Sequence, residues 1–481
     1  MRPLLQAARD QLADIVRRQP AIGTPDLAAR LGVSLPTVRR MLNEAAARGE
    51  VLSLGRARRT RHVWRRALRG QAADWPVYRV DAEGRAEPFA QLTPIEPQGT
   101  VMPMAGVGWP LPDESRDGVW PGLPYPLQDM RPQGYMGRQF ARAVSDSLQL
   151  PPDPRAWGDD EVLIALARAG SDMVGDLVLG DEALRRWQAA RLDAAQAPSA
   201  QELPEHALAD SYPALADQAV AGGGAGSSAA GQFPKFAALR AVPAPEQPGP
   251  GGVARTPHVL VKFSGAGGTQ AEQRWADLLL AEHLALQVCA TQLADHGVTT
   301  ACSRVRDAAG RRFLEVERFD RHGLWGRSPL VSLESVNAAF LGLPHRPWPE
   351  LMAALARARL LAEGAEAAAA VLWWFGRLIG NSDMHLGNLS LRPRGGLFSL
   401  APAYDMLPMR HAPLAGGELP PLGLLEPALP LPTERTAWWP AAEAAGVFWR
   451  RVAEDARASD ALRTQAQANA GRLAQAQAVL G

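Results

Sequence analysis

Cysteine and lysine are nearly absent from this chain of 481 residues. Two cysteines, Cys289 and Cys302, without a CxxC spacing exclude a disulfide framework and a cysteine-rich zinc site. They make the cytosol the natural compartment. No run approaches the roughly 20 apolar residues that a bilayer span needs, so no membrane partner is expected. The start, MRPLLQAARDQLAD, turns charged within its first 10 residues and does not read as a signal peptide. A GxSxG elbow is missing, which removes support for Ser/His/Asp hydrolysis. So is the GxxxxGK[ST] spacing of a Walker A loop. No repeat falls in the solenoid range. What remains, 47% apolar and 21% charged residues, is ordinary for a globular protein, with length for about three domains.

Charge is unevenly spread. The first 69 residues hold 15 arginines against 5 acidic groups, whereas the remainder holds 36 basic against 45 acidic groups. This asymmetry points to a basic module for nucleic acid joined to a neutral-to-acidic body. Of 51 basic residues only Lys235 and Lys262 are lysine. In so arginine-rich a chain, a lysine marks a place where a compact ammonium on a thin stem is wanted, or it falls there by chance.

Residues 1–66 read as a helix from about Leu5 to Gln19, a short helix capped by Thr24 with Pro25 at its first position, an LGV turn, and a third helix capped by Ser34. Two strands around the basic tip Gly55–Arg61 follow. This is the order of a winged helix-turn-helix. Its third helix would offer Ser34, Thr37, Arg39 and Arg40 to base edges in a major groove. Arg56, Arg58, Arg59 and Arg61 would meet phosphates. A small helical protein–protein module with a solvated basic face is the rival reading. Further on, helices are expected at 138–148, 159–169 and 181–196, strands at 77–80 and 88–92, loops over 94–128, and a linker over 197–215.

Four later segments belong together. AGGGAGSSAAGQFPKF, 221–236, is a Gly-rich loop closed by Lys235. HVLVKF, His258–Phe263, is a strand carrying an inward lysine, whose burial requires an anion; Glu282, on the apolar helix Gln270–Leu293, is the predicted ion-pair partner. FLEVERFDR, Phe313–Arg321, is an apolar strand ending before a mostly helical stretch to Gly380; that position suits a hinge, while on its own the segment reads first as an ordinary strand end. LIGNSDMHLGNLSL and APAYDML place Asp383, Asn388 and Asp405 around a hairpin turning at Gly395-Gly396. A carboxylate, an amide and a second carboxylate in this order form the phosphoryl-transfer pattern, with oxygen ligands suited to Mg²⁺. His385 has no second ligand at metal spacing and reads as a loop-positioning residue.

The segments SSAAGQFPK, HVLVKF, VERFDR, GNSDMHLGN and PAYDM, supported by PLQDMRPQGYMGRQFAR and LIALARAGSDMVGDLVLG, resemble the HipA family of bacterial serine/threonine protein kinases, the toxin half of toxin–antitoxin pairs. The fused N-terminal module is similar to its YjjJ-like subgroup. The resemblance implies an α+β, bilobal protein-kinase-like body behind the winged helix-turn-helix. The units would be 1–66, 67–317 (N-terminal subdomain and N-lobe) and 318–481 (helical C-lobe). It implies an ATP- and Mg²⁺-dependent kinase with Asp383 as catalytic base and Asn388 and Asp405 as metal ligands. Lys262 would hold phosphate, with Ala230, Gly231, Gln232, Phe233, Pro234 and Lys235 as phosphate loop. Glu317, Arg318 and Phe319 would meet adenine, and His385 and Asn388 would line the nucleotide. Ser228 matches the loop serine that such kinases autophosphorylate, with Ser227 a near rival. The resemblance implies a protein substrate, in the family commonly an aminoacyl-tRNA synthetase, and an antitoxin as partners; the helix-turn-helix order adds DNA and, because such modules often bind as dimers, a second copy of the chain. The alternatives are a transcription regulator whose kinase-like body is a silent nucleotide sensor, and a small-molecule kinase.

Overall fold

The structure, a computed structural model, describes residues 3–72, 74–104, 106–196, 202–223, 233–241, 256–414 and 418–480. The sequence expectations for Ser227, Ser228, Ala230, Gly231 and Gln232 lie outside the described residues, as does the Arg58 side chain.

The N-terminal unit orders as α1 (Pro3–Arg18), β1 (Ile22–Gly23), α2 (Thr24–Leu31), α3 (Leu35–Ala47), β2 (Val51–Leu54) and β3 (Arg61–Trp64). The strands form an antiparallel sheet of order β1-β3-β2. Leu12, Val16, Leu27, Val38, Met41 and Trp64 form its core, the helical stripe that the 3.6-residue period predicts. Ser34 caps α3 as expected, its Oγ accepting from the Thr37 N–H at 3.4 Å. The expected Thr24 cap is corrected: Gly23 holds the cap position, and Thr24 Oγ1 meets His62 Nε2 at 2.9 Å instead. Tertiary pairing across the sheet has taken the hydroxyl away from its local role.

Next come the short pair β4 (Ala67–Leu68) and β5 (Gln71–Ala72), then β6 (Trp75–Val80), β7 (Ala86–Pro94), β8 (Thr100–Val101), β9 (Val119–Trp120), α4 (Tyr125–Gln128), α5 (Gly134–Leu148), α6 (Asp159–Ala169), β10 (Leu177–Leu179) and α7 (Asp181–Gln196). The middle sheet has the order β10-β6-β7-β8-β9, so part of the expected loop region 94–128 is strand. Leu54 and Val63 of the N-terminal unit share an apolar cluster with Val101 of β8 and with Ile95, the residue that follows β7. Arg66 pairs with Asp160 beside it.

The expected linker over 197–215 is corrected as well. Residues 208–223 form α8 (Leu208–Gly223), with Pro213 inside it. Leu208, Tyr212, Ala216 and Ala219 are its buried stripe, a helical period that the proline concealed. The Tyr212 ring packs 5.5 Å from both Phe236 and Phe313.

A second sheet, of order β11-β12-β14-β13, is built from β11 (Lys235–Leu239), β12 (His258–Phe263), β13 (Ser303–Ala308) and β14 (Arg311–Glu317). Between β12 and β13 runs α9 (Gln270–Gln292). A capping box starts α9: Thr269 Oγ1 accepts from the Glu272 N–H, and Glu272 Oε2 accepts from the Thr269 N–H.

Beyond Glu317 lie β15 (Arg321–His322), β16 (Gly326–Arg327), β17 (Val331–Ser332), α10 (Leu333–Val336), α11 (Trp348–Arg357) and α12 (Ala365–Leu378). Then follow β18 (Ser390–Arg394), β19 (Leu397–Leu400), α13 (Arg435–Glu454) and α14 (Asp460–Leu480). The β18–β19 hairpin turns where expected, at Gly395 and Gly396, with φ of 59° and 79°, a conformation that glycine adopts without a Cβ clash. One apolar cluster runs continuously from Leu68 through Tyr125, Leu280, Phe375 and Trp438 to Leu473. The middle sheet and the last helices are therefore packed into the same core. Among the described residues no helix is long and apolar enough to cross a membrane.

Candidate active site

Strand alternation places Lys262 on the face of β12 opposite Val261 and Phe263, whose side chains pack under α8. Its Nζ donates to both carboxylate oxygens of Glu282 at 2.7 Å and to Asp405 Oδ1 at 2.5 Å. Glu282 is fully buried on α9, Lys262 is 8% exposed, and Asp405 is 31% exposed. The pairing expected from one buried ammonium and one buried carboxylate is present, and a second carboxylate joins it. Burial opposes the charged form of Lys262, but Asp405 and Glu282 outweigh it and hold its pKa above the ordinary lysine range. Burial likewise opposes the Asp405 carboxylate, and Lys262 and Lys235 outweigh it, so Asp405 titrates below the usual aspartate range. Lys235 is the direct cross-strand partner of Lys262. Burial pulls its pKa below the ordinary value, with Asp405 opposing that shift and Lys262 adding to it.

Asp405 sits in a left-handed backbone conformation, φ +53°, which aspartate tolerates better than most residues. One side chain fixes both aspartate segments. The Asn381 Nδ2 donates to the Asp405 carbonyl at 3.1 Å, and its Oδ1 accepts from the Asp383 N–H at 3.0 Å. Asn388, at the end of a short 3-10 turn, donates Nδ2 to the Asp383 carbonyl at 2.7 Å, which leaves the amide Oδ1 to act as a ligand. Asp383 is 53% exposed, and its carboxylate stands 4.0 Å from His385 Nε2. His385 Nδ1 accepts from the Gly387 N–H at 3.1 Å, a loop-ordering contact. Tyr404 Oη donates to the Gly387 carbonyl at 2.7 Å and lies 2.7 Å from Ser390 Oγ. Asn381 and Tyr404 are the site residues that sequence reading missed. Asn381 carried a usable signal: a polar residue directly after Gly380 at the end of an apolar helix, two positions before Asp383.

Asp405 and Asn388 present hard oxygen donors, and Asp405 is partly open to solvent. That suits Mg²⁺, which takes few protein ligands and keeps water or phosphate in its other positions. Among the described residues no three His, Cys, Asp or Glu side chains are grouped as a metal cage.

The remaining expected contacts are distributed differently. Phe233 is buried, its ring 4.6 Å from Trp275 and 5.8 Å below the Lys262 ammonium, so it forms a wall of the lysine pocket. The Pro234 carbonyl accepts from the Phe263 N–H at 3.2 Å. At the end of β14, the Glu317 and Arg318 N–H groups donate to the Cys302 and His258 carbonyls at 2.8 and 2.9 Å, and the Arg318 guanidinium binds Asp172 and Asp320. Phe319 packs 5.6 Å from Tyr404. On the N-terminal unit, Ser34, Arg39, Arg40, Arg56, Arg59 and Arg61 are exposed and Thr37 is half-buried. Arg40 has Glu44 at 3.9 Å.

Residues 71–188 match the family described as the YjjJ-like toxin, middle domain, and residues 227–474 match the HipA-like C-terminal domain. Among curated proteins, Toxin YjjJ of Escherichia coli (strain K12) is 38% identical over 459 residues, covering 95% of this chain and 96% of that protein. Among solved structures, a Shewanella oneidensis MR-1 chain from a complex of HipA, HipB and operator DNA aligns with 83% of this chain and 97% of its own, at 13% identity and a TM-score of 0.49. The Helicobacter pylori proinflammatory kinase CtkA aligns with 47% of this chain and 92% of its own, at 11% identity and a TM-score of 0.31.

Proposed function

Because the chain belongs to the HipA-like toxin family, in its YjjJ-like branch, we propose that it is an ATP- and Mg²⁺-dependent serine/threonine protein kinase fused to a DNA-binding module. The observation that carries this reading is the joint placement of Lys262, Glu282, Asp405, Asp383 and Asn388, from separate elements, through direct ion pairs and the Asn381 bridge. Lys262, held extended by Glu282, binds a phosphate group of the nucleotide. Asn388 and Asp405 hold the metal, which supplies charge neutralisation on the phosphates when bound. Asp383, the exposed carboxylate, orients the substrate hydroxyl and accepts its proton. Lys235 adds a second ammonium to the phosphate side. The segment Glu317–Phe319 and the loop His385–Asn388 border the base and sugar.

In this reading residues 1–66 are a winged helix-turn-helix. The exposed Arg39 and Arg40 on α3 read a major groove, and Arg56, Arg59 and Arg61 on the wing contact phosphates. Carboxylate partners for Arg56, Arg59 and Arg61 do not occur among the described residues, which leaves this charge for a polyanion. A protein target, autophosphorylation at Ser228, an antitoxin and a dimer on DNA complete the proposal.

The test is incubation of the purified protein with labelled ATP, Mg²⁺ and host lysate, followed by mass spectrometry. Label in Ser228 or in a protein of the lysate, lost on Asp383→Ala, is expected. Undiminished labelling by the Asp383→Ala protein would overturn the assignment.

A further inference from the structure

A charge cluster outside the site joins the middle unit to the hinge, with Arg321, Arg327 and Asp320 buried and Asp172 at its open rim. The loop 171–175, between α6 and β10, is gripped by three arginines that follow β14. Asp172 accepts from Arg318 Nη1 at 3.0 Å and from Arg321 Nη2 at 2.7 Å. The Met173 carbonyl accepts from Arg318 Nη2 at 3.3 Å and from Arg321 Nη2. The Gly175 carbonyl accepts from Arg321 Nη1 at 2.9 Å, and the Ser171 carbonyl accepts from Arg327 Nη2 at 2.6 Å. Asp320 closes the set, accepting from Arg318, Arg321 and the Gly175 N–H. Two guanidiniums, Arg318 and Arg321, thus share the carboxylates of Asp172 and Asp320, while Arg327 bonds the loop backbone. With Asp172 neutralised, Asp320 would be the one ion-pair partner left to both Arg318 and Arg321, and the segment they sit on would spread.

That segment is the one bordering the site. Phe319 lies between Arg318 and Asp320, and its ring packs 5.6 Å from Tyr404, the residue preceding Asp405. Arg392 Nη2 donates to the Phe319 carbonyl at 2.7 Å, and its guanidinium lies 5.9 Å from the Phe319 ring. A shift of the cluster therefore reaches the Phe319–Tyr404 contact directly.

We propose that Asp172 of the middle unit is a positioning residue for nucleotide, setting the width of the cleft between Phe319 and Asp405 through Arg318 and Arg321. This rests on the nucleotide-binding part of the kinase reading above. It gives the middle unit a part in nucleotide affinity without touching the ligand.

The test compares the full-length parent, Asp172→Asn and Asp172→Glu by ATP equilibrium dialysis, ATP saturation kinetics and thermal melting. Asp172→Asn is expected to weaken ATP binding and raise KM about tenfold while kcat stays within about twofold. Asp172→Glu, which restores the charge, should recover most of the affinity. Equal ATP affinity in the parent and Asp172→Asn overturns the proposal. So does a loss of kcat and melting temperature without a KM change, which marks a merely structural contact. A parent that binds ATP with the expected Asp172 dependence but transfers no phosphate overturns the kinase reading and leaves the positioning role standing. A parent that binds no ATP overturns both.

Discussion

Lys235 and Lys262 face each other as a cross-strand pair on β11 and β12, in a chain with no other lysine. Like charges directly opposite on a sheet repel, and burial adds to the cost. The pair persists because Glu282 and Asp405 lie against Lys262. Two ammonium groups on one sheet face, only one of them bonded to carboxylates among the described residues, form a surface suited to anionic oxygen.

Removing the Lys262 charge should be costly to the fold as well as to activity. Lys262→Met strands Glu282 as a buried unpaired carboxylate, a change of about 3–5 kcal/mol in unfolding free energy. Adding Glu282→Gln should recover most of that stability without any recovery of phosphate transfer. Urea unfolding of the two variants checks the first part and labelled-ATP incorporation the second.

Asn381→Ala removes the side chain that bonds both the Asp383 N–H and the Asp405 carbonyl. A displacement near 1 Å of either aspartate would lower kcat about 100-fold, with a stability loss of about 1–3 kcal/mol. Steady-state transfer rates measured on folded variant settle the matter, and a kcat within twofold of the parent would count against the bridge.

Burial holds the His258 imidazole at about 4, with Arg318 beside it adding to the shift and the bond to the Leu324 carbonyl opposing it. The unfolded chain binds this proton near pH 6.5 and the folded chain does not until about 4. Its contribution to stability is complete above pH 6.5 and is lost as the pH falls toward 4. His258→Gln should therefore flatten the dependence of unfolding free energy on pH between 6.5 and 4 by about one proton. Denaturant titrations of both proteins across that range give the slope difference; parallel curves would contradict it.

If the N-terminal unit binds duplex DNA, its affinity must fall with salt. Replacing Arg56 or Arg59 with alanine should lower the slope of log K against log salt by about 0.9 for each phosphate no longer neutralised. Fluorescence anisotropy on a labelled duplex gives this slope, and slopes unchanged in both variants would remove the wing from the interface.

The elements most legible in the sequence were those in which local preference and packing agree. The strand His258–Phe263 and the helices Asp159–Ala169 and Asp181–Gln196 fall on their expected bounds. The Lys262–Glu282 pair was legible because burying Lys262 demanded an anion, and Glu282 was a carboxylate set among apolar residues on α9. Three things were hidden. Pro213 masked α8, whose stripe has meaning only against Phe236 and Phe313. Thr24 lost its cap to a partner 38 residues away. Asn381 and Asp172 act through backbone groups and arginines of other segments, pairings that no local pattern announces.

The shared patch of Leu54, Val63, Ile95 and Val101 has a practical corollary for anyone trimming the chain. Cutting after Arg66 would strip a lid from Ile95 and Val101, both now sealed from water, and leave the severed body with a sticky edge. The N-terminal unit and the body behind it are better expressed as a single piece.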